Sequence, residues 1–247
     1  MFVSYVEKMN IKNFKKTEDD YEKIKKDFQK RDNYLVAMEI AGEMKEHSET
    51  IARIFSFLIE AFNGELRNDN KTPAVFHSIY LTRLLYSCGE SEVDTLITSS
   101  LHDVLEDTKV SECGLKEKSF LFGKEYIINY LKILKENKDI SREPDGKTLP
   151  PRYNEHIKRI IGAPKEVINV EIVDRFSDLM DLEYILCLAK EEKKIRLNSK
   201  IIKTRSFIEN ITRNRNDINK NCLNLFNRKV KEIEKLYNIN VKIPVLS

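Results

Sequence analysis

Apolar residues in this chain recur at the three- and four-residue spacing of an α-helix, and few residues interrupt that spacing. The stretch SETIARIFSFLIEAF, residues 48–62, places Ile51, Ile54, Phe55 and Leu58 on one stripe. Such a stripe is typical of an amphipathic helix that packs on a core. The chain has 7 Gly and 6 Pro in 247 residues, which disfavours turn-rich β architectures. The sequence therefore predicts an all-α fold.

The chain is long enough to build one large domain around its own core. No internal repeat and no convincing linker divides it. We therefore predict an N-terminal helical extension in residues 1–47 and a helical bundle with a long C-terminal helical region in residues 48–237. The last residues, 238–247, are predicted to be an extended tail.

Helical periodicity inside this bundle predicts further helices near residues 93–108, 152–161, 165–190 and 192–237. The stretch KDISREPDGKTLPPRY, residues 138–153, contains three of the prolines and predicts a loop. Loops of this length often cover an active site. We therefore regard it as a candidate cover.

Composition excludes several classes of protein. Hydrophobic residues are 41% and charged residues 34%, as in a globular chain rather than a disordered one. No apolar run approaches the roughly 20 residues of a membrane helix, and the first residues are too charged for a signal peptide. The four cysteines form no CxxC pair, which argues against disulfides and a thiolate zinc site. We expect a cytoplasmic protein without a membrane partner.

Basic residues are concentrated toward the C-terminal end, where residues 190–247 hold 15 Lys and Arg against 6 Asp and Glu. A basic region beside a more acidic body is able to bind polyphosphate or nucleic acid. It is also consistent with a solvated helical surface. The charge pattern alone leaves both interpretations open.

The octet LHDVLEDT, residues 101–108, holds four ionisable groups: His102, Asp103, Glu106 and Asp107. On a helix they share one side, opposite an apolar stripe. A solvated helix face is one interpretation. The other is a site at a cleft, because the same side continues one turn earlier through small hydroxyl residues that favour close helix packing, and because neighbouring carboxylates repel one another without a cation.

Two further fragments favour the second interpretation. In IVDRFSDLMDL, the aspartates Asp174, Asp178 and Asp181 lie on one helical stripe, and in AVFHSIY the residue His77 interrupts an apolar helix. Two histidines and two aspartates from three helices are suitable ligands for one divalent ion, with Mn²⁺, Fe²⁺ and Zn²⁺ all compatible.

These residues resemble a known family. The order of His77, His102-Asp103 and Asp174 is that of the HD-domain metal-dependent phosphohydrolases. More narrowly, LHDVLEDT resembles the L-H-D-x-x-E-D-T segment of RelA/SpoT-type alarmone (ppGpp) hydrolases, and VDRFSDLMDL resembles their A-D-R-L-x-N-L-x-x-L segment. AFNGELR followed by TPAVFHSIYLTRLL resembles the segment that carries their first histidine. The resemblance covers roughly residues 48–215 and is closest to the small stand-alone hydrolases.

The resemblance implies an all-α HD-domain bundle that binds one Mn²⁺ and removes the 3′-pyrophosphate of ppGpp and pppGpp, giving GDP or GTP and pyrophosphate. It implies a nucleotide as the partner, whereas nucleic acid is not expected and the oligomeric state is left open. Carried over residue by residue, the metal ligands are His77, His102, Asp103 and Asp174. The catalytic pair is Glu106 and Asp107.

Four residues are candidates for substrate binding. Arg67 matches a family arginine near the nucleotide, and Asp178 replaces the usual asparagine. Lys71 and Arg205 would supply further positive charge, with a solvated surface role as the alternative. The chain also departs from the family pattern at Glu171, where the family has lysine, and at the residues flanking His77. These departures leave the metal ligands intact and change the surroundings expected for the nucleotide.

Three hypotheses follow. The first is a Mn²⁺-dependent ppGpp hydrolase, and the second is an HD-type phosphohydrolase that acts on another nucleotide. The third is a non-catalytic helical module that binds nucleic acid through its basic C-terminal region. The third gives no reason for a complete set of metal ligands beside Glu106 and Asp107, and the first is the function that we predict.

Overall fold

The structure is a computed structural model that describes residues 17–135, 151–182 and 190–237. Its helices are α1 (residues 17–30), α2 (Asn33–Gly42), α3 (Ser48–Ala61), α4 (Val75–Ser87), α5 (Val93–Leu101), α6 (Val104–Asp107), α7 (Glu112–Lys116), α8 (Tyr126–Leu134), α9 (Pro151–Ile161), α10 (Lys165–Met180), α11 (Lys190–Asn214) and α12 (Lys220–Tyr237). In these ranges, β structure is confined to an isolated bridge between Leu66 and Pro73. The predicted all-α fold is confirmed.

Helices α4, α5 and α10 pack on one another at the centre of the molecule. Each is buried over most of its circumference, including the runs 75–82, 95–101 and 167–173. A helix that is covered on all sides belongs to the interior of a bundle. This arrangement matters for function, because α4 carries His77, α10 carries Asp174 and α5 ends directly before His102.

The contact between α4 and α5 depends on small hydroxyl residues, as the sequence predicts. Ser99 and Ser100 are fully buried, and the hydroxyl of Ser100 lies 2.9 Å from that of Thr82. The Ser100 hydroxyl also donates to the carbonyl of Leu96 at 2.8 Å. These bonds satisfy the hydroxyl of Ser100, and the small size of both serine side chains lets the two helices approach closely.

The N-terminal part of the described chain packs into the same core. On α1, the Tyr21 ring meets those of Phe76 and Tyr80 edge to face, with centroids 5.4 and 4.9 Å apart, and Phe28 lies 5.8 Å from Phe76. Edge-to-face packing is a favourable geometry for aromatic pairs. The boundary predicted between residues 47 and 48 remains a prediction.

Two helices that the sequence predicts as continuous are each divided into two in the structure, so these predictions are wrong in that respect. The helix predicted over residues 93–108 is interrupted at His102 and Asp103, between α5 and α6. The helix predicted over 192–237 is divided into α11 and α12 at a turn. There Arg215 donates to the carbonyls of helix α9 and its following loop, and the side chain of Asn219 accepts from the first amides of α12. An N-cap of this kind begins a new helix.

Other predictions fall partly outside the described residues. The loop predicted over residues 138–153 lies outside them up to residue 150, and its last three residues begin α9. The tail predicted over 238–247 lies outside them entirely. Helix α10 begins at Lys165 as predicted but ends at Met180, and the predicted continuation is wrong at Asp181 and Leu182, which are not helical; residues 183–189 lie outside the described ranges. Of the cysteines in the described ranges, all three are free thiols.

Within the described ranges, no helix combines the length and the apolar composition needed to cross a bilayer.

The close approach of α4 and α5 predicts a destabilising substitution. Ser100→Leu adds a large side chain at a fully buried contact, and overpacking of this kind lowers the free energy of unfolding by about 1–3 kcal/mol. Urea denaturation followed by circular dichroism measures the change. Ser91→Leu is the matched control, because Ser91 is exposed immediately before α5. Equal urea denaturation midpoints for Ser100→Leu and Ser91→Leu would contradict the close contact between α4 and α5 at Ser100.

Candidate metal centre

The four predicted ligands lie together at the inner end of a cleft, with nitrogen and oxygen atoms alternating around a closed ring. His77 Nε2 is 3.0 Å from Asp174 Oδ1 and 3.6 Å from Asp103 Oδ2. His102 Nε2 is 3.0 Å from Asp103 Oδ2 and 3.9 Å from Asp174 Oδ1. Residues from three separate helical segments therefore converge on one point, as the sequence predicts for a metal shell.

The spacing of these atoms fits a divalent ion. Ligand atoms held roughly 2.1 Å from one ion at tetrahedral or octahedral angles lie roughly 3.0–3.4 Å from one another. The ligand atoms of His77, His102 and Asp174 all lie within 4.8 Å of one another, and the four neighbouring distances in the ring are 3.0–3.9 Å. Three of the four predicted ligands therefore form one compact group, and Asp103 lies beside it, 3.0 Å from His102 and 3.6 Å from His77.

His102 is oriented as a metal ligand. Its Nδ1 lies 2.8 Å from the carbonyl oxygen of Ser99, and a carbonyl only accepts, so Nδ1 carries the proton. The carboxylates beside Nε2 favour a proton on that nitrogen as well, and a bound ion would take the place of that proton. This buried atom makes no hydrogen bond of good geometry with any described residue. A hydrogen bond from the outer nitrogen to a backbone carbonyl commonly orients a histidine that binds metal.

Electrostatics at the ring favour a cation. Burial lowers the pKa of His102, but the carboxylates of Asp103 and Asp174 outweigh burial and raise it to about 9. For Asp174, burial raises the pKa of the carboxyl group. Its bond to His77 and the charge of Arg175 outweigh burial and hold that pKa well below its usual value. The two carboxylates therefore stay ionised and draw positive charge to the centre of the ring.

The interruption between α5 and α6 explains how adjacent residues reach one centre. On a regular helix, neighbouring side chains diverge by about 100°. His102 takes the C-cap position after α5, and Asp103 takes the N-cap position of α6, with its carbonyl accepting from the amide of Asp107 at 2.8 Å. This turn directs His102 and Asp103 to the same point, and α6 carries Glu106 and Asp107 onward along the cleft.

The ring opens into a cleft of about 300 Å³. Its lining includes the four ring residues, the predicted catalytic pair and the predicted substrate residues Arg67 and Asp178. Glu171, Arg175, four apolar side chains and the amide of Asn68 complete it. The ionisable lining residues are Arg67, His77, His102, Asp103, Glu106, Asp107, Glu171, Asp174, Arg175 and Asp178.

Carboxylates outnumber cations in this lining, but the outer carboxylates have basic partners. Asp178 lies 3.3 Å from the ammonium of Lys200 on α11. Asp181, which ends α10, bonds Arg67 Nε at 3.2 Å and the buried Lys25 of α1 at 3.3 Å. Asp181 thus departs from the stripe formed by the other two aspartates of its segment and instead anchors α1 and Arg67.

The remaining candidates lie away from the cleft lining. Lys71 is exposed in the loop between α3 and α4, where its amide donates to Asp69 at 2.9 Å. Arg205 forms an ion pair with Glu234 of α12. Lys200, about one and a half turns before Arg205 on α11, is the basic residue that pairs with Asp178 of the cleft lining. Sequence periodicity does not distinguish these two positions, because both lie on the long basic helix.

Sequence reasoning also missed a buried cluster around Arg175. Arg175 lies within the VDRF segment next to Asp174, and its Nε bonds the carboxylate of Glu171 at 2.6 Å. His156 of α9 lies 3.0 Å from the same carboxylate and is fully buried. The departure from the family lysine at Glu171 was the signal in the sequence, but its partner on α9 is visible only in the fold.

Comparison with solved structures supports the fold. The chain superposes with a TM-score of 0.58 on a metazoan ortholog of SpoT, a protein that hydrolyzes ppGpp and plays a role in starvation responses; the two are 17% identical over 77% of this chain and 97% of that one. It also superposes on lmo0812 from Listeria monocytogenes EGD-e with a TM-score of 0.50 and 18% identity, over 66% of this chain and 94% of that one. At these identities the likeness concerns the fold. No protein-family model and no curated protein sequence matches the chain.

The geometry predicts that Mn²⁺ stabilises the protein through the ring. At a concentration 100-fold above its Kd, a ligand of the native state adds about 2.7 kcal/mol, which raises Tm by roughly 5–10 °C for a chain of this size. His77→Gln removes one ligand, so thermal unfolding of this variant should lose most of the shift. His47→Gln, outside the ring, should keep it. Equal shifts in both variants would contradict the assignment.

Proposed function

We propose that this chain is a metal-dependent hydrolase of phosphate esters in nucleotides, and that its substrates are ppGpp and pppGpp. The observation that carries the proposal is the alternating ring of two imidazoles and two carboxylates, in which Nε2 of His102 is oriented toward Asp103. Such a donor set is suited to Mn²⁺, with Fe²⁺ and Zn²⁺ as alternatives. We assign His77, His102, Asp103 and Asp174 as the residues that hold the ion.

When bound, a divalent ion would supply Lewis acidity for phosphoryl transfer, withdrawing charge from phosphoryl oxygens and making water a better nucleophile. The chain's own residues do the rest. Glu106 and Asp107 follow the ring on α6 and line the same cleft, where a carboxylate can orient a water molecule and accept its proton. Arg67 and Arg175 line the cleft as cations for substrate phosphates, since phosphoryl transfer depends mainly on positioning and charge.

The choice of ppGpp rests on two supports. The octet LHDVLEDT and the VDRF segment resemble the RelA/SpoT-type hydrolases, and the metazoan protein with a similar fold hydrolyzes ppGpp. The proposed products are GDP or GTP and pyrophosphate. A nucleotide partner and a cytoplasmic location belong to the same proposal.

A second candidate is hydrolysis of another nucleotide. Two carboxylates, Glu171 and Asp178, stand in the cleft lining where the family pattern has lysine and asparagine. Both are ionised, because basic neighbours lower the pKa of each despite burial. Relative to the family pattern, the lining is more acidic, which favours a substrate with fewer phosphate charges.

The basic C-terminal helices give little support to a nucleic-acid module. Several of their arginines and lysines form ion pairs with carboxylates of the same chain, including Arg196 with Glu192 and Arg205 with Glu234. Paired side chains contribute less to a binding surface for phosphates. Salt-sensitive nucleic-acid binding that survives Asp103→Ala would revive this hypothesis.

Purified protein with Mn²⁺ should release pyrophosphate from ppGpp, and chelation of the metal should abolish release. Anion-exchange chromatography of the nucleotides measures both, with a panel of other nucleotides in parallel. Turnover of another nucleotide without turnover of ppGpp would reject the first candidate and establish the second. The absence of turnover with every nucleotide would reject both.

Glu106→Gln should keep metal binding and lower kcat by about 10²- to 10⁴-fold, because the amide cannot accept a proton from water. Metal analysis and steady-state kinetics check the two parts separately. Glu112→Gln is the control, since Glu112 pairs with Lys132 on the surface away from the cleft. An unchanged kcat in Glu106→Gln would remove this residue from its assigned role.

A further inference from the structure

A chain of polar contacts leads from the end of α8 through α9 toward the cleft. Arg159 of α9 donates from Nε to the carbonyl of Ile133 at 2.9 Å and from Nη2 to that of Lys135 at 2.5 Å. Its Nη2 also lies 3.1 Å from Nδ1 of His156. Because a guanidinium only donates, Nδ1 of His156 accepts, and the ring proton lies on Nε2.

The protonated nitrogen of His156 faces Glu171. The distance from Nε2 to Glu171 Oε1 is 3.0 Å, and the same oxygen accepts from Arg175 Nε at 2.6 Å. His156 is fully buried and Glu171 is 2% exposed. A buried carboxylate needs polar or basic partners. Arg175 donates a hydrogen bond to Glu171, and Nε2 of His156 lies 3.0 Å away without a hydrogen bond of good geometry, so Glu171 fixes Arg175 and His156 lies against the same carboxylate.

Arg175 is fixed from its buried side. Its Nε is bonded to Glu171, and its guanidinium carbon lies 5.0 Å from the centre of the Tyr153 ring of α9. Its outer nitrogens face the cleft, where Nη1 is 3.5 Å from Asp178 Oδ2 and Nη2 is 3.7 Å from Asp174 Oδ2. These two contacts are much longer than the bond to Glu171.

We propose that Arg175 binds a phosphate group of the substrate, and that Glu171 and His156 are positioning residues that hold its guanidinium for this contact. The inference rests on the proposed function, in which a phosphate ester lies beside the metal ligands. A guanidinium fixed through Nε directs its two outer nitrogens to the cleft, where phosphate oxygens would replace the longer contacts with Asp174 and Asp178 in the bidentate geometry that guanidinium groups favour. A lysine at position 171, as in the family pattern, would repel Arg175 instead of orienting it.

The position of Arg175 distinguishes it from the other arginine of the cleft lining. Arg67 directs its Nε to Asp181, at the end of α10. Arg175 instead lies beside Asp174, one of the four residues of the ring. A phosphate held by Arg175 would therefore lie next to the metal centre.

Glu171→Gln and Arg175→Lys test the inference, with inorganic pyrophosphate and ppGpp as probes. Calorimetry with Mn²⁺-loaded protein measures binding of pyrophosphate, and kinetics with ppGpp separate KM from kcat. Loss of one charged contact should weaken pyrophosphate binding and raise KM about tenfold in each variant, with Mn²⁺ affinity and kcat within about twofold of wild type. The double variant should be no weaker than Arg175→Lys alone, because both residues act through one guanidinium.

The matched controls are Glu192→Gln and Arg196→Lys, a Glu–Arg pair with the same four-residue spacing on the surface of α11. They should leave pyrophosphate binding unchanged.

A wild type that cleaves ppGpp while both cleft variants bind pyrophosphate normally would overturn this inference alone. A tenfold loss of pyrophosphate binding in both variants, without cleavage of ppGpp by the wild type, would overturn the proposed function alone. Additive effects in the double variant, or a wild type that does not bind pyrophosphate, would also overturn the inference.

Discussion

A carboxylate removed from water must face positive charge, and this requirement organises the centre of the molecule. Three of the carboxylates carried by α10 and its end meet basic side chains: Glu171 meets Arg175, Asp178 meets Lys200, and Asp181 meets Lys25 and Arg67. The first pair lies within α10, and the others join α10 or its end to other parts of the chain. The carboxylates of Asp103 and Asp174 face the two imidazoles of the ring, with Arg175 3.7 Å from Asp174, and we propose this group of two carboxylates and two imidazoles as the place for an ion.

The ring in turn depends on close packing between helices. Small residues such as Ser99 and Ser100 bring α5 against its neighbours, and the carbonyl of Ser99 then sets the orientation of His102. Ser99 therefore links the packing of α5 to the orientation of the His102 ring. A larger side chain at this contact would separate the helices and would also move the imidazole that completes the ring.

The fold and the lining of the cleft carry different information. The fold is similar to that of a metazoan ppGpp hydrolase at 17% identity, and the order of the ring residues resembles the HD-domain order noted in the sequence. The lining differs from the family pattern at Glu171, and this single carboxylate reorganises its surroundings by binding Arg175 and facing His156. The residues that we propose for metal binding and those that we propose for substrate recognition are thus different, although they line the same cleft.

The sequence by itself determined the all-α architecture, because helical spacing of apolar residues is a local property that few glycines and prolines interrupt. It also predicted the four ring residues, because clustered carboxylates in LHDVLEDT and IVDRFSDLMDL are unusual without a cation and because the order of His77, His102-Asp103 and Asp174 resembles a known family. Only the tertiary structure decided the break between α5 and α6, because whether His102 and Asp103 point to one centre depends on a turn, not on periodicity. It alone decided that Lys200 rather than Arg205 lies beside the cleft, and that His156 lies beside Glu171. The partners in these contacts are distant in sequence and meet only when the helices pack.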